Sequence, residues 1–266
     1  MSPTFLDKII ESTRGRVASQ RMSVDIDEIG SQAARTRESR PSNALLSALE
    51  RKDRINIIAE FKRASPSKGV INSVVDVSTQ VKLYEQSGAC AISVLTEEHY
   101  FRGSIDDLRE VRSTVELPIL RKDFTIDEFQ IYEAAAAGAD AILLIVAALT
   151  SEDLRDFQRL AHVLGMDAIV EVHTADELEI ASEIGARIIG VNNRNLRTFD
   201  VSLDVSRELI GYRPDGAMMI AESGLTNQSQ IGELSSLGFD GFLVGESLMR
   251  GGSLEVFTAI ERGELR

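Results

Sequence analysis

Short apolar runs recur along this chain of 266 residues, and several end in an ionisable or amide side chain. Ile57-Ile58-Ala59 leads into Glu60 and Lys62, Leu117-Pro118-Ile119-Leu120 into Lys122, and Ala168-Ile169-Val170 into Glu171. Ile188-Ile189-Gly190-Val191 leads into Asn192 and Arg194, and Met218-Met219-Ile220-Ala221 into Glu222. The runs are continuously apolar rather than alternating, the pattern of parallel strands covered on both faces. A glycine stands shortly before each of five such runs, at Gly88, Gly138, Gly165, Gly185 and Gly238. Glycine there adopts the left-handed conformation that stops a helix, so each marks a helix-to-strand junction. Counting on this rule predicts eight strands, at about 57–62, 91–95, 118–122, 140–146, 167–172, 187–192, 217–222 and 241–244. Between them, Leu154, Phe157, Leu160, Ala161 and Leu164 recur at helical spacing behind a capping-box-like Thr150 and Asp153. Thr174 with Glu177 repeats that start signal, and Ile231, Leu234 and Leu237 mark a later helix.

This alternation predicts an α/β fold, a single (β/α)8 TIM barrel over residues 51–266. A doubly wound sheet uses the same units, but eight of them with charges on nearly every strand end favour closure. Residues 1–50 do not fit the repeat and read as an N-terminal helical extension packed on the barrel, with a loop near 36–42. In such a barrel the carboxyl ends of all strands open onto one face, and that face holds the active site.

Composition narrows the partners. Acidic residues outnumber basic ones by 42 to 29, a net charge of −13, so no basic excess exists to neutralise nucleic-acid phosphates. No stretch approaches the ~18 apolar residues of a membrane span, and the first residues lack a signal-peptide layout. The single cysteine, Cys90, makes no internal disulfide and fits a reducing, cytoplasmic setting. What remains as the expected partner is a small molecule, phosphorylated if the strand-end loops bind an anion; composition does not fix the oligomeric state, for which a monomer is the favoured expectation.

The strand ends carry the chemistry. Ser223-Gly224 follows the seventh strand and Gly245-Glu246-Ser247 the eighth, where barrels commonly bind phosphate through main-chain N–H groups. Either pair alone would read as a tight turn; together they favour an anion. Glu60 and Lys62 alternate on one strand and so share a face, as a rim ion pair or as an acid–base set at the mouth. Lys122, between apolar walls and beside Arg121, is either a solvated lysine or one whose pKa is lowered so that it acts as acid, base or amine nucleophile. Glu171 is the natural general base. His173 reads as a helix-start histidine, and His99, His162 and His173 lack ligand spacing, so no metal site is expected. Asn192-Asn193-Arg194-Asn195 is either an Asn-rich turn or a donor set for carboxylate or phosphate oxygens.

Taken in order, Ile58-Ala-Glu-Phe-Lys-Arg-Ala-Ser-Pro-Ser-Lys-Gly69, Leu120-Arg-Lys-Asp-Phe124, Val170-Glu-Val-His173, Gly190-Val-Asn-Asn-Arg-Asn-Leu196, Ala221-Glu-Ser-Gly224 and Leu243-Val-Gly-Glu246 closely resemble the indole-3-glycerol-phosphate synthase family over about residues 45–250. The loop Leu95–Ser104 departs from the family's pattern, with His99, Tyr100 and Arg102 where smaller or acidic residues are expected. The resemblance implies a carbon–carbon lyase of tryptophan biosynthesis. Its substrate would be 1-(2-carboxyphenylamino)-1-deoxyribulose 5-phosphate, converted without a cofactor. It further implies Lys122, Glu171, Lys62, Glu60 and Asn192 as catalytic residues. Ser65, Phe101, Phe124, Arg194, Leu196, Glu222, Ser223, Gly224, Gly245 and Glu246 would contact the substrate, with the two phenylalanines flanking its aromatic ring. A Schiff-base aldolase on a phosphorylated sugar and a non-catalytic phosphometabolite-binding barrel are the competing readings.

Overall fold

The computed structural model describes residues 3–72 and 74–258; the end of the predicted barrel, 259–266, lies outside the described residues. Eight parallel strands close into a ring in chain order: β1 (Ile57–Phe61), β2 (Ala91–Leu95), β3 (Ile119–Lys122), β4 (Ala141–Ile145), β5 (Asp167–Val172), β6 (Ile188–Asn192), β7 (Met218–Glu222) and β8 (Gly241–Val244). The last pairs with the first through Ile58↔Leu243. All eight lie within a residue of the predicted spans, and the five junction glycines sit at φ between +70° and +115°.

Helices α1 (Phe5–Ser23), α2 (Ile26–Glu38) and α3 (Ala44–Leu49) precede the ring. Around it follow α4 (Val77–Gln86), α5 (Ile105–Thr114), α6 (Glu128–Ala136), α7 (Ser151–Val163), α8 (Ala175–Glu183), α9 (Asp204–Leu209), α10 (Gln228–Leu237), α11 (Glu246–Met249) and α12 (Glu255–Thr258). Thr150 and Asp153 form the full capping box expected at α7. Between the barrel wall and these helices lies the larger apolar core. A second core fills the barrel, and Leu45, Leu46 and Leu49 of α3 join it as a plug in the N-terminal end.

The predicted loop near 36–42 is shorter than expected, because α2 continues to Glu38. Arg37, within that predicted loop, is 7% exposed. Its guanidinium donates to the carbonyls of Ala139, Leu164, Gly165 and Pro41 and to Asp140, which ties the extension to two αβ junctions. Asp140 in turn accepts from Arg40, Arg112 and the Ile119 N–H. Asp167 caps α3 by accepting from the N–H groups of Leu45 and Leu46. Asp240 accepts from the Met219 N–H. The aspartate two residues after a junction glycine is thus a recurring stitch at this end of the barrel.

Candidate active site

Strand alternation builds the site. Ile58, Leu120, Ile169 and Ile220 meet inside the barrel, one from each odd-numbered strand. Two residues further along the same strands, on the same inward face, stand Glu60, Lys122, Glu171 and Glu222. A barrel normally fills such a four-residue layer with branched apolar side chains. Here the layer is charged. Lys122 Nζ donates to Glu171 Oε2 at 3.1 Å and to Glu222 Oε2 at 2.8 Å. Asn192 Nδ2 donates to Glu171 Oε1 at 3.1 Å, and Asn192 Oδ1 accepts from the Arg194 N–H at 3.0 Å. Glu60 pairs with Lys62. Two glycines make room, Gly190 on β6 and Gly245 just after β8: a Cβ on Gly190 would strike Glu222 Oε1, and one on Gly245 would strike Glu60 Oε1.

The electrostatics follow from this crowding. Burial alone would lower the Lys122 pKa. The Glu171, Glu222 and Glu60 carboxylates outweigh it and hold the ammonium above the ordinary lysine range. This corrects the reading of a lowered pKa, because the neighbours that decide it are carboxylates brought in by β1, β5 and β7. Burial also pushes the Glu171 carboxyl up, but Lys122, His173 and Asn192 prevail and hold it below its usual range. Glu222 goes the other way, raised to about 7 by burial and by the Glu171 and Glu60 charges, against the pull of Lys122.

Above this layer opens a cavity of about 690 Å³. Every predicted site residue lines it: Lys122, Glu171, Lys62, Glu60 and Asn192, and also Ser65, Phe101, Phe124, Arg194, Leu196, Glu222, Ser223, Gly224, Gly245 and Glu246. The Phe101 and Phe124 rings lie 6.2 Å apart. At the other side, Ser223 (φ +63°) and Gly224 (φ +82°) turn the chain sharply after β7. The Asn193 amide holds the Ser223 carbonyl at 3.2 Å. The Glu246 carboxylate is engaged by Arg250 at 3.3 Å and Lys68 at 3.8 Å. A two-residue ladder, Ala64–Ser65 against Gly69–Val70, stiffens the loop after β1 that carries Lys68.

Sequence reasoning missed part of the wall. Phe5, Leu6 and Ile9 of α1 also line the cavity. The unusual residues after β2 dock that helix: His99 Nδ1 lies 3.0 Å from Ser12 Oγ, and the Tyr100 ring meets Phe5 edge-on at 5.1 Å. Ser247 was passed over as well. It lines the cavity, yet its Oγ is shut off from solvent without a hydrogen-bond partner among the described residues. Its place after Gly245 and Glu246 was the available signal.

The family model for indole-3-glycerol phosphate synthase matches residues 6–260. The chain belongs to that family. An indole-3-glycerol phosphate synthase from Carboxydothermus hydrogenoformans is 44% identical over 96% of this chain and 100% of its own length. One from Sulfurimonas denitrificans is 45% identical over 92% of this chain and 94% of its own. The fold alone is shared with a solved N-acetylmannosamine-6-phosphate 2-epimerase from Clostridium perfringens. That protein is 16% identical, with a TM-score of 0.58 over 75% of this chain and 90% of that one. The match begins one residue into α1, so all of that helix except Phe5 lies within the matched region.

Proposed function

We infer that this chain is a carboxy-lyase of tryptophan biosynthesis. It closes, decarboxylates and dehydrates 1-(2-carboxyphenylamino)-1-deoxyribulose 5-phosphate to indole-3-glycerol phosphate. The observation that carries the reading is one half-buried ammonium, Lys122, shared between carboxylates at the strand ends of a chain of this family.

The roles follow from charge. A ring carbon attacks the sugar carbonyl, a C–C bond forms, and the carbonyl oxygen gathers negative charge. Lys122 meets that oxygen and gives it a proton as its proton affinity rises. The C–carboxylate bond then breaks, carbon dioxide leaves, and the electron pair rearomatises the ring. Glu171 takes a C–H proton while the hydroxyl departs as water with a proton from Lys62. Lys62 also suits the substrate carboxylate before ring closure. Glu60 orients Lys62, Asn192 holds the hydroxyl, and Glu222 completes the polar floor. Phe101 and Phe124 flank the anthranilate ring beside Leu196. The phosphate sits against the main-chain donors of Ser223, Gly224, Gly245 and Glu246, with Arg194 and Ser65 on its approach. No cofactor enters this scheme, because the decarboxylation electrons stay in the product.

The reading extends to a cytoplasmic monomer, with residues 1–50 as an extension and 51–266 as the catalytic barrel. Its supports are the single cysteine and the α1 side chains that complete the cavity. No described helix is long and apolar enough to cross a membrane. A charged Lys122 disfavours an amine nucleophile, which speaks against the aldolase. Two assays test the whole: appearance of indole-type fluorescence from the carboxyphenylamino sugar phosphate, and borohydride treatment during turnover. Fluorescence without a trapped lysine adduct is expected. A trapped adduct would establish the aldolase instead, and binding without product would establish a non-catalytic barrel.

A further inference from the structure

The imidazole of His173 stands between two carboxylates. Its Nδ1 lies 3.2 Å from Glu177 Oε2, which also accepts from the His173 backbone N–H at 2.7 Å. Its Nε2 lies 3.4 Å from Glu171 Oε1, an ion-pair distance without hydrogen-bond geometry, and has no hydrogen-bond partner among the described residues. His173 follows Glu171 by two positions along the end of β5, so both side chains leave the same face. Capping α8 requires only a backbone N–H, which any residue supplies. The second ring nitrogen, buried beside the Glu171 carboxylate without a hydrogen bond, is therefore unexplained by the cap.

We propose that His173 is a positioning residue for Glu171: clamped by Glu177, its imidazole stands beside the Glu171 carboxylate as an ion-pair partner and keeps it turned to the cavity. This rests on the reading of Glu171 as the base. A neutral imidazole has one N–H and one lone pair, and either arrangement would set the lone pair against a carboxylate. With both nitrogens facing carboxylates, the doubly protonated ring is the favoured form. Burial works against that charge, and the bond to Glu177 with the Glu171, Glu177 and Glu222 charges overcomes it, so the pKa is raised. Glu171 meanwhile faces Lys122 from β3, Glu222 from β7 and the neutral Asn192 from β6. A base oriented by a third group is a recurring arrangement in acid–base catalysis. Here the third group also carries charge, so its removal should change how readily Glu171 takes up a proton.

The test has two arms. In the first, the ring nitrogens of His173 are titrated by NMR in the wild-type chain and in Glu171→Gln. Facing Glu171, the imidazole should titrate above the ordinary histidine value of about 6.5 and fall in Glu171→Gln; an unmoved titration would overturn the proposal. In the second, His173→Phe should lower kcat about tenfold, the equivalent of one pKa unit of interaction with Glu171, with little change in KM. Its acid limb should move to higher pH, because Glu171 loses a cation. His173→Gln keeps a donor near Nε2 without the charge. It should recover kcat near the optimum yet retain the shifted limb. If both variants only lower Tm and leave the limb in place, His173 is a helix cap and the proposal fails. Failure of the underlying reading looks different: Glu171→Gln would then keep its kcat, whatever the histidine does.

Discussion

The two ends of this barrel treat buried charge in opposite ways. At the N-terminal end, one anion sits among cations: Asp140, with no exposed side-chain area, is met by Arg37, Arg40 and Arg112. At the C-terminal end, one cation sits among anions: Lys122 lies between Glu171 and Glu222, with Glu60 nearby. The first cluster is saturated. Arg37 spends its remaining donors on four carbonyls, and Asp140 also takes a backbone N–H. The second is left open, since Glu222 Oε1 and, farther out, Ser247 Oγ are buried without hydrogen-bond partners among the described residues. A saturated buried network rigidifies a fold. An unsaturated one that shifts pKa values apart is poised to exchange protons with something that enters. Both clusters are buried and charged; only their satisfaction differs, and that difference separates scaffold from chemistry.

The comparison breaks most directly at its two centres. Lys122→Met keeps the length of the side chain and removes the proton. If Lys122 is the acid, kcat should fall by ~10²–10⁴-fold, the usual contribution of a positioned proton donor. The folded chain should still bind the sugar phosphate, as measured by fluorescence titration. A variant with near-normal kcat and a raised KM would show that Lys122 only binds. At the opposite end, Asp140→Ala leaves three arginines facing an uncompensated gap. Breaking a buried charge network by removing one partner costs about 3–5 kcal/mol, read as a lowered denaturant midpoint. Well below its own Tm, this variant should turn over substrate at a nearly unchanged rate. A large loss of kcat there would mean that the two ends are not separable.

Much of this contrast was legible in the chain, and the gaps have physical causes. The strands stood out because each is a continuous apolar run and five of the eight follow a junction glycine, a signal that needs no tertiary information. The strand-end residues were legible for the same reason, since alternation along β1 fixes Glu60 and Lys62 on one face. The direction of the Lys122 pKa was not. It is set by Glu171 and Glu222, 49 and 100 residues away, which only ring closure brings within bonding distance. Arg37 looked like part of a loop because most of its partners are main-chain carbonyls, which leave no mark in a sequence, and its one carboxylate, Asp140, lies about a hundred residues away. Gly190 resembled any strand glycine until Glu222 was seen to occupy the space of its Cβ. The α1 wall was hidden because that helix is mostly polar; only Ile9, Ile10, Thr13 and Val17 are buried on it.

A finer cut through the charged layer uses pH. Glu222 is raised to about 7 from the ordinary 4.5. Between those values the unfolded chain has released this proton while the folded chain retains it. The unfolded state then binds fewer protons, so the Glu222 contribution to stability falls as pH rises across that window. Glu222→Gln removes the titration. The stability difference between variant and wild type should therefore drift in the variant's favour from pH 4.5 to 7, read from denaturant midpoints at several pH values. A constant difference would mean that Glu222 is ionised throughout, and the contrast with Glu171 would collapse. At the scaffold end the matching control is Asp140→Asn, which lies far from this layer and should leave the drift intact.

The smallest effect separates the two ends most sharply. Ser247 Oγ is buried and unpaired, which carries a desolvation cost of about 1–3 kcal/mol when nothing offsets it. In a scaffold position such a hydroxyl would be a defect. Beside Gly245 and Glu246, at the end proposed for the phosphate, it is a donor waiting for an oxygen. Ser247→Ala should thus have two effects of opposite sign. The free enzyme should unfold at a slightly higher denaturant concentration, because the unpaired group is gone. KM for the phosphorylated substrate should rise several-fold, on the order of one neutral hydrogen bond, while kcat stays close to wild type. If stability rises and KM does not move, the hydroxyl never meets the substrate and the phosphate is held by the main chain alone. If stability instead falls, Ser247 is bonded in the free enzyme and belongs to the scaffold. Only the paired outcome, a more stable enzyme that binds its substrate less well, is what an unsaturated functional end requires.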